Sequence, residues 1–134
     1  MTVTMPPTPT DEVESDVIVL TIPARPTFVR LVRIGAASLA RRKGMSVRAI
    51  DDLRLAVDEA FTLLLADQDH EGTVDVTFEV DDHELIVTGV QRLIDGAVAV
   101  APEHLVRFEV VLADLVDRFD ADPETGVVQF SKLV

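Results

Sequence analysis

Hydrophobic positions along the chain follow two periods, one of two residues typical of strands and one of three to four residues typical of helices. The predicted strands are 16–22, 73–80, 84–90 and 127–133, and the predicted helices are 26–43, 47–66 and a third from Pro102 with Phe119 on its inner face. Residues 1–14 are rich in Pro and Thr, so we expect a flexible tail before a single domain of residues 15–134.

Local signals place the helix ends and the buried stripes. Pro26 suits a first helical turn, Gly44 a helix C-terminus and Ser46 the N-cap of helix 2. The stripes predicted to be buried are Phe28, Leu31, Val32, Ala36, Leu39 and Ala40 on helix 1, and Ile50, Leu53, Val57, Ala60, Phe61 and Leu64 on helix 2. Leu55, Glu59 and Leu63 lie on a different side of helix 2.

The order strand, helix, helix, strand, strand, helix, strand predicts an α+β domain. We expect a two-layer α/β sandwich with the helices on one face of a mostly antiparallel, mixed sheet. This arrangement gives each apolar helix stripe and one sheet face a single apolar partner. Residues 91–101 have no readable periodicity.

Composition excludes several classes of function. The chain has no cysteine, which excludes disulfides and thiolate metal sites. Its three histidines are scattered without metal-ligand spacing, so we expect surface histidines and no metal site of that kind. No apolar run approaches a membrane span of about 20 residues, and no signal peptide is recognisable, which predicts a cytoplasmic protein without membrane contact.

Charge is unevenly distributed in this acidic chain. The net charge of −12 argues against nucleic acid as a direct ligand. Residues 26–50 nevertheless contain no Asp or Glu. The basic residues of that segment are Arg30, Arg33, Arg41, Arg42, Lys43 and Arg48. A solvated helix face and a surface that docks an acidic protein partner both fit this pattern.

Three stretches carry a family resemblance: Leu20–Pro26, Phe28-Val29-Arg30, and Asp51–Ala60, which ends in Glu59-Ala60. They resemble the anti-sigma-factor serine kinases of the RsbW type, in the GHKL ATPase superfamily, over roughly residues 17–134. The resemblance implies a GHKL (Bergerat-like) fold, a sigma factor or an anti-anti-sigma factor as partner, and a homodimer. It also implies that Arg30 contacts the sigma factor, and we add Phe28 and Arg33 beside it as partner-binding candidates.

The first nucleotide-binding box of this family reads Glu-Ala-x-x-Asn, with the glutamate as catalytic base and the asparagine holding magnesium. Here Glu59 stands at the base position, but Leu63 stands at the asparagine position. Leucine offers no oxygen to a cation that requires oxygen ligands. By resemblance, Glu59 is therefore interpreted as a vestigial catalytic residue.

The second nucleotide box departs further from the family. Gln91 stands near the position of the aspartate that binds adenine, and the glycines that follow it in the family are missing. Asp95-Gly96 is either a displaced remnant of that box or a simple turn. Only 11 residues separate Val90 from Pro102, so we expect a shortened ATP lid.

Three functional readings follow from these residues. The leading one is an anti-sigma-like protein that binds its partners without ATP hydrolysis and needs no cofactor. The second is an active serine protein kinase that uses ATP and magnesium, with Asp58 or backbone oxygens as substitute ligands. The third is a non-catalytic dimeric module with a different protein client.

Overall fold

The computed structural model describes residues 15–134 as three α-helices on a five-stranded sheet. In chain order the elements are β1 (Asp16–Pro23), a 3-10 turn (Pro26–Phe28), α1 (Val29–Arg42), α2 (Val47–Leu65), β2 (Gly72–Val80), β3 (Glu84–Leu93), α3 (Pro102–Leu115), β4 (Arg118–Asp122) and β5 (Val127–Leu133). The strand order is β1-β2-β3-β5-β4. The predicted α+β fold is confirmed, and every strand pairing is antiparallel rather than mixed. The predicted tail, residues 1–14, lies outside the described residues.

The core lies between the helices and one face of the sheet. Along β2, the side chains of Val74, Val76 and Phe78 are buried, whereas Glu79 on the opposite face is exposed. All six residues of the stripe predicted for helix 2 are buried. Because α2 packs against both α1 and α3, these two helices flank it on either side.

The predicted ends of the helices are confirmed at two positions. The Ser46 hydroxyl accepts a hydrogen bond from the Ala49 N–H at 3.1 Å, as an N-cap does. Gly44 has φ +72°, the left-handed conformation that suits glycine after a helix. By contrast, α2 ends in two non-glycine residues with positive φ, Ala66 at 52° and Asp67 at 53°.

The burial of Leu31 predicted for helix 1 is wrong. The helix opens with the 3-10 turn and becomes α-helical only at Val29. Val32, Ala36 and Ala40 of the predicted stripe are buried as expected, and Val29 is buried beside them. At about 3.6 residues per turn, Leu31 lies nearly opposite Ala36 and Ala40 on the helix, so its side chain is 47% exposed.

Helix 3 is shorter than predicted, and the sequence analysis missed strand β4. Val116 has extended backbone angles and ends α3. Phe119 still packs inward, but from β4, where its ring meets Phe108 edge to face at 5.9 Å between centroids. Val116 and Phe119 fall four and seven residues after Leu112, so their spacing continues the helical stripe and conceals the strand.

Strand β3 is longer than predicted, because Leu93 pairs with Gly72 at the start of β2. This extension puts Gln91 inside a strand.

The expectation that all three histidines are surface residues is wrong for His70, which is half-buried with its ring Nε2 at 2.7 Å from the carbonyl oxygen of Leu65. Between residues 15 and 134, no helix combines the length and the apolar character that crossing a bilayer requires.

Candidate functional site

A cavity of about 180 Å³ lies between α2, α3 and the loop that precedes α3. Glu59 and Leu63 of α2 line it, so two of the three predicted nucleotide-site residues are brought together. The remaining walls are largely apolar and include Val100 and Phe108. Sites for drug-sized ligands are usually larger, about 300–1,000 Å³.

Glu59 is bound by a cation from the neighbouring helix. Its carboxylate accepts a hydrogen bond from Arg107 Nη2 of α3 at 3.2 Å. The hydrogen bond and the negative charge of Glu59 together raise the pKa of Arg107 above its ordinary value. The carboxylate at the predicted base position therefore already has a partner inside the protein. Sequence reasoning missed Arg107, the only arginine or lysine of α3.

Leu63 lies one helical turn after Glu59 and is 7% exposed. Its side chain presents only carbon atoms to the cavity. Within residues 15–134, no group of three or more His, Asp or Glu side chains is placed to hold a metal ion. Asp58, the substitute magnesium ligand suggested by the sequence, forms an ion pair with Arg33 of α1 at 2.5 Å.

Gln91 does not join Glu59 and Leu63 in the cavity. Its Nε2 donates a hydrogen bond to the Leu64 carbonyl oxygen at 2.5 Å, which ties β3 to the last turn of α2. Its Oε1 is buried and has no hydrogen-bond partner among the described residues. Gly126, with φ +70°, lies beside this carboxamide, and a Cβ atom there would overlap it.

The loop from Ile94 to Ala101 covers one side of the cavity. Asp95-Gly96 forms a turn, with φ +84° at Gly96. Farther along, Ala99 lines the cavity and Val100 packs against the core. A short segment without helix or strand thus stands where the resemblance implies an ATP lid.

The three predicted partner-binding residues have different environments. Arg30 is exposed and has no ion-pair partner within the described part of the chain. Phe28 is half-buried, and the guanidinium of Arg33 is bound to Asp58. Two apolar side chains near Arg30, Leu31 and Ile34, are exposed as well.

Comparison with known proteins supports the resemblance read from the residues. A family profile described as "Histidine kinase-like ATPase domain" matches residues 22–129. The serine-protein kinase RsbW of Listeria monocytogenes is 37% identical over 78 residues, which cover 54% of this chain and 50% of that protein. The proteins of the same name from Bacillus velezensis and Bacillus subtilis are 31% identical over 110 residues and 29% identical over 111 residues.

These two Bacillus alignments cover 80% and 81% of this chain, but only 54% and 55% of the relatives. The chain therefore spans about half the length of the curated relatives it matches. The match and the antiparallel two-layer architecture together confirm the predicted resemblance and the predicted fold class.

Proposed function

Because the chain belongs to the histidine kinase-like ATPase domain family, we propose that it is an anti-sigma-like regulatory protein that binds a sigma factor, an anti-anti-sigma partner or both, without hydrolysing ATP. One observation carries the proposal. The carboxylate of Glu59 is paired with Arg107 in the lining of a small, largely apolar cavity that Leu63 also lines. A catalytic base needs to reach the hydroxyl proton that it removes, and here Oε1 of Glu59 already accepts a hydrogen bond from Arg107.

The residues of this site do not fit a magnesium nucleotide. Magnesium requires oxygen ligands, and Leu63 provides none. Phosphoryl transfer depends on metal ions that neutralise the phosphates, so the loss of one ligand position is severe. The carboxamide of Gln91 is committed to the Leu64 carbonyl, and the cavity is small for a nucleotide. We therefore expect no cofactor.

The exposed side of α1 supports a protein partner. Arg30 stands free of ion pairs among the described residues, beside the exposed apolar side chains of Leu31 and Ile34. An arginine next to apolar side chains is typical of the residues that dominate binding energies. The surrounding segment carries only positive charge, whereas the rest of the chain is acidic, which favours an acidic partner surface.

An active serine protein kinase is the second candidate. It is favoured by the retention of Glu59 and by the relatives, which are named serine-protein kinases. It requires the Arg107 side chain to leave Glu59, and that side chain is exposed enough to move. It also requires a magnesium ligand other than Leu63 or the Arg33-bound Asp58.

A homodimer, as in the third reading, is supported by one edge strand of the sheet. Among residues 15–134, β1 pairs only with β2, so one row of its backbone groups has no partner in this part of the chain. Val17 and Val19 project from this strand and are exposed. A long apolar edge strand favours pairing with another strand. Val19→Lys would place a charge there, and we expect it to convert a dimer to a monomer in sedimentation velocity.

The test of the proposed function is binding to the purified sigma factors of the host. We expect Arg30→Glu to weaken binding by more than about 1 kcal/mol, or more than about fivefold, with an unchanged melting temperature. Arg48→Glu makes the same charge change elsewhere in the basic segment and serves as the matched control. Excess ATP and magnesium should leave the affinity unaltered. Equal affinities of the wild type and Arg30→Glu would remove Arg30 from the interface, and phosphorylation of an anti-anti-sigma partner would establish the kinase instead.

A further inference from the structure

The outward faces of the two flanking helices have the same pattern with opposite charge. On α1, apolar or small side chains recur after three and then four residues, and arginines lie beside them. On α3, apolar side chains recur after four and then three residues, and acidic side chains lie beside them. The α1 face consists of Leu31, Ile34 and Ser38 with Arg30, Arg41 and Arg42; the α3 face consists of Val106, Val110 and Ala113 with Glu103, Glu109 and Asp114.

Both faces are exposed in the part of the chain that the structure describes. Ile34 is 53% exposed on α1, and Val106 and Val110 are 59% and 63% exposed on α3. None of the six charged residues of the two faces forms an ion pair within residues 15–134. Arg107, the one arginine or lysine of α3, is bound to Glu59, so its charge is already compensated. The α3 face is left acidic and apolar.

We propose that the α1 face of one copy of this chain docks on the α3 face of a second copy. Two helices pair through facing apolar seams, and charges of opposite sign beside the two seams favour that pairing. The two faces match in length as well, because each helix has 14 residues, or about 21 Å. Since α1 and α3 lie on opposite sides of α2, one copy cannot bring its own two faces together.

The arrangement is head to tail, because two different faces meet. Such an interface leaves one free face of each kind at the ends of the assembly, so copies can continue to add. Two facing helices of this size cover less than a standard interface of about 1,600 Å². We therefore expect weak association that grows with protein concentration and is weakened by salt, which screens the facing charges.

The consequence for regulation rests on the proposed function. The α1 face includes Arg30, so a neighbouring copy would cover the surface proposed to bind the sigma factor. Self-association would then reduce the amount of free binding surface as the protein concentration rises. A sigma factor and the α3 face of another copy would compete for the same arginines.

The test compares variants with matched charge changes, all carrying Val19→Lys so that the β1 edge does not contribute. Ile34→Glu blocks the α1 face, because it places a carboxylate in an apolar seam opposite the acids of α3, and Val110→Lys blocks the α3 face, because it places an ammonium group in an apolar seam opposite the arginines of α1. Val47→Glu and Ile94→Lys make the same changes of charge at exposed positions outside both faces. Sedimentation velocity and equilibrium are measured over a wide concentration range at low and high salt, and circular dichroism verifies folding.

We expect the reference chain and both controls to increase in average mass with concentration at low salt and to become monomeric at high salt. Each blocked variant alone should remain a monomer. An equimolar mixture of the two should form a dimer and nothing larger, because the intact α3 face of one variant meets the intact α1 face of the other.

A reference chain that is monomeric at every concentration would overturn the proposal, as would blocked variants that associate normally or a mixture that stays monomeric. No sigma factor is present in this experiment. Its result is therefore independent of the Arg30→Glu binding test, and the two proposals can fail separately.

Discussion

Leu63→Asn restores the side chain that the family uses to hold magnesium, and we predict that it destabilises the protein without creating a nucleotide site. Leu63 is almost fully buried. Removing a buried leucine side chain costs about 2–5 kcal/mol of unfolding free energy. Because Leu63 borders a cavity of about 180 Å³, the shorter side chain is partly accommodated and water can reach its amide. We therefore expect a loss of about 2–3 kcal/mol.

Urea denaturation followed by circular dichroism measures this loss. With a slope of about 1–3 kcal/mol per molar urea, the midpoint should fall by roughly 0.7–3 M. Leu55→Asn is the matched control, because Leu55 lies two turns earlier in α2 and is 52% exposed. Both substitutions lower helix propensity by about 0.5 kcal/mol, so the difference between them reports burial.

Nucleotide titration of Leu63→Asn completes the experiment. We expect no binding of ATP with magnesium, since Arg107 still holds Glu59 and Gln91 still holds the Leu64 carbonyl. Equal destabilisation by Leu63→Asn and Leu55→Asn would refute the packing argument. Micromolar nucleotide binding by Leu63→Asn would show that Leu63 alone closes the site.

Three further predictions concern stability. Ala66→Gly should raise the unfolding free energy by about 0.5–1 kcal/mol, because alanine is strained at its positive φ. Thermal denaturation should show a higher melting temperature, and an unchanged or lower one would contradict the strain argument. Asp81 accepts two backbone N–H hydrogen bonds in the β2–β3 turn, and these bonds lower its pKa. Its contribution to the unfolding free energy should be present above the unfolded pKa of about 3.9 and be lost as pH falls through the lower folded pKa. Asp81→Asn should therefore flatten the acid limb of the curve of unfolding free energy against pH. A double-mutant cycle of Glu59→Gln and Arg107→Gln should give only a weak coupling, since the Arg107 side chain is 69% exposed, and a coupling as strong as that of a buried ion pair would contradict this.

The sequence predicts the central helix well because its signal is long and local. The six-residue stripe of α2 follows one period over four turns, and Ser46 marks its start. The same reasoning fails at Leu31, because this residue lies, at about 3.6 residues per turn, nearly opposite Ala36 and Ala40, which face the core. It also fails at β4, where Phe119 falls in phase with the preceding helix although its backbone is extended.

The candidate site is predicted only in its local part. Glu59 and Leu63 are one turn apart on one helix, so their shared environment follows from helical spacing. The partner of Glu59 lies 48 residues away in α3, and nothing in the local pattern near Arg107 indicates that contact. The hydrogen bond from Gln91 to Leu64 likewise depends on how β3 passes beneath the end of α2, which is decided by tertiary packing.

Isothermal titration of the wild-type protein with ATP and with ADP in excess magnesium tests the central claim most directly. The account predicts no heat of binding and no rise in melting temperature with nucleotide, because a ligand that binds the folded state would stabilise it. Saturable binding at micromolar concentrations would contradict the account and make the serine kinase the leading function.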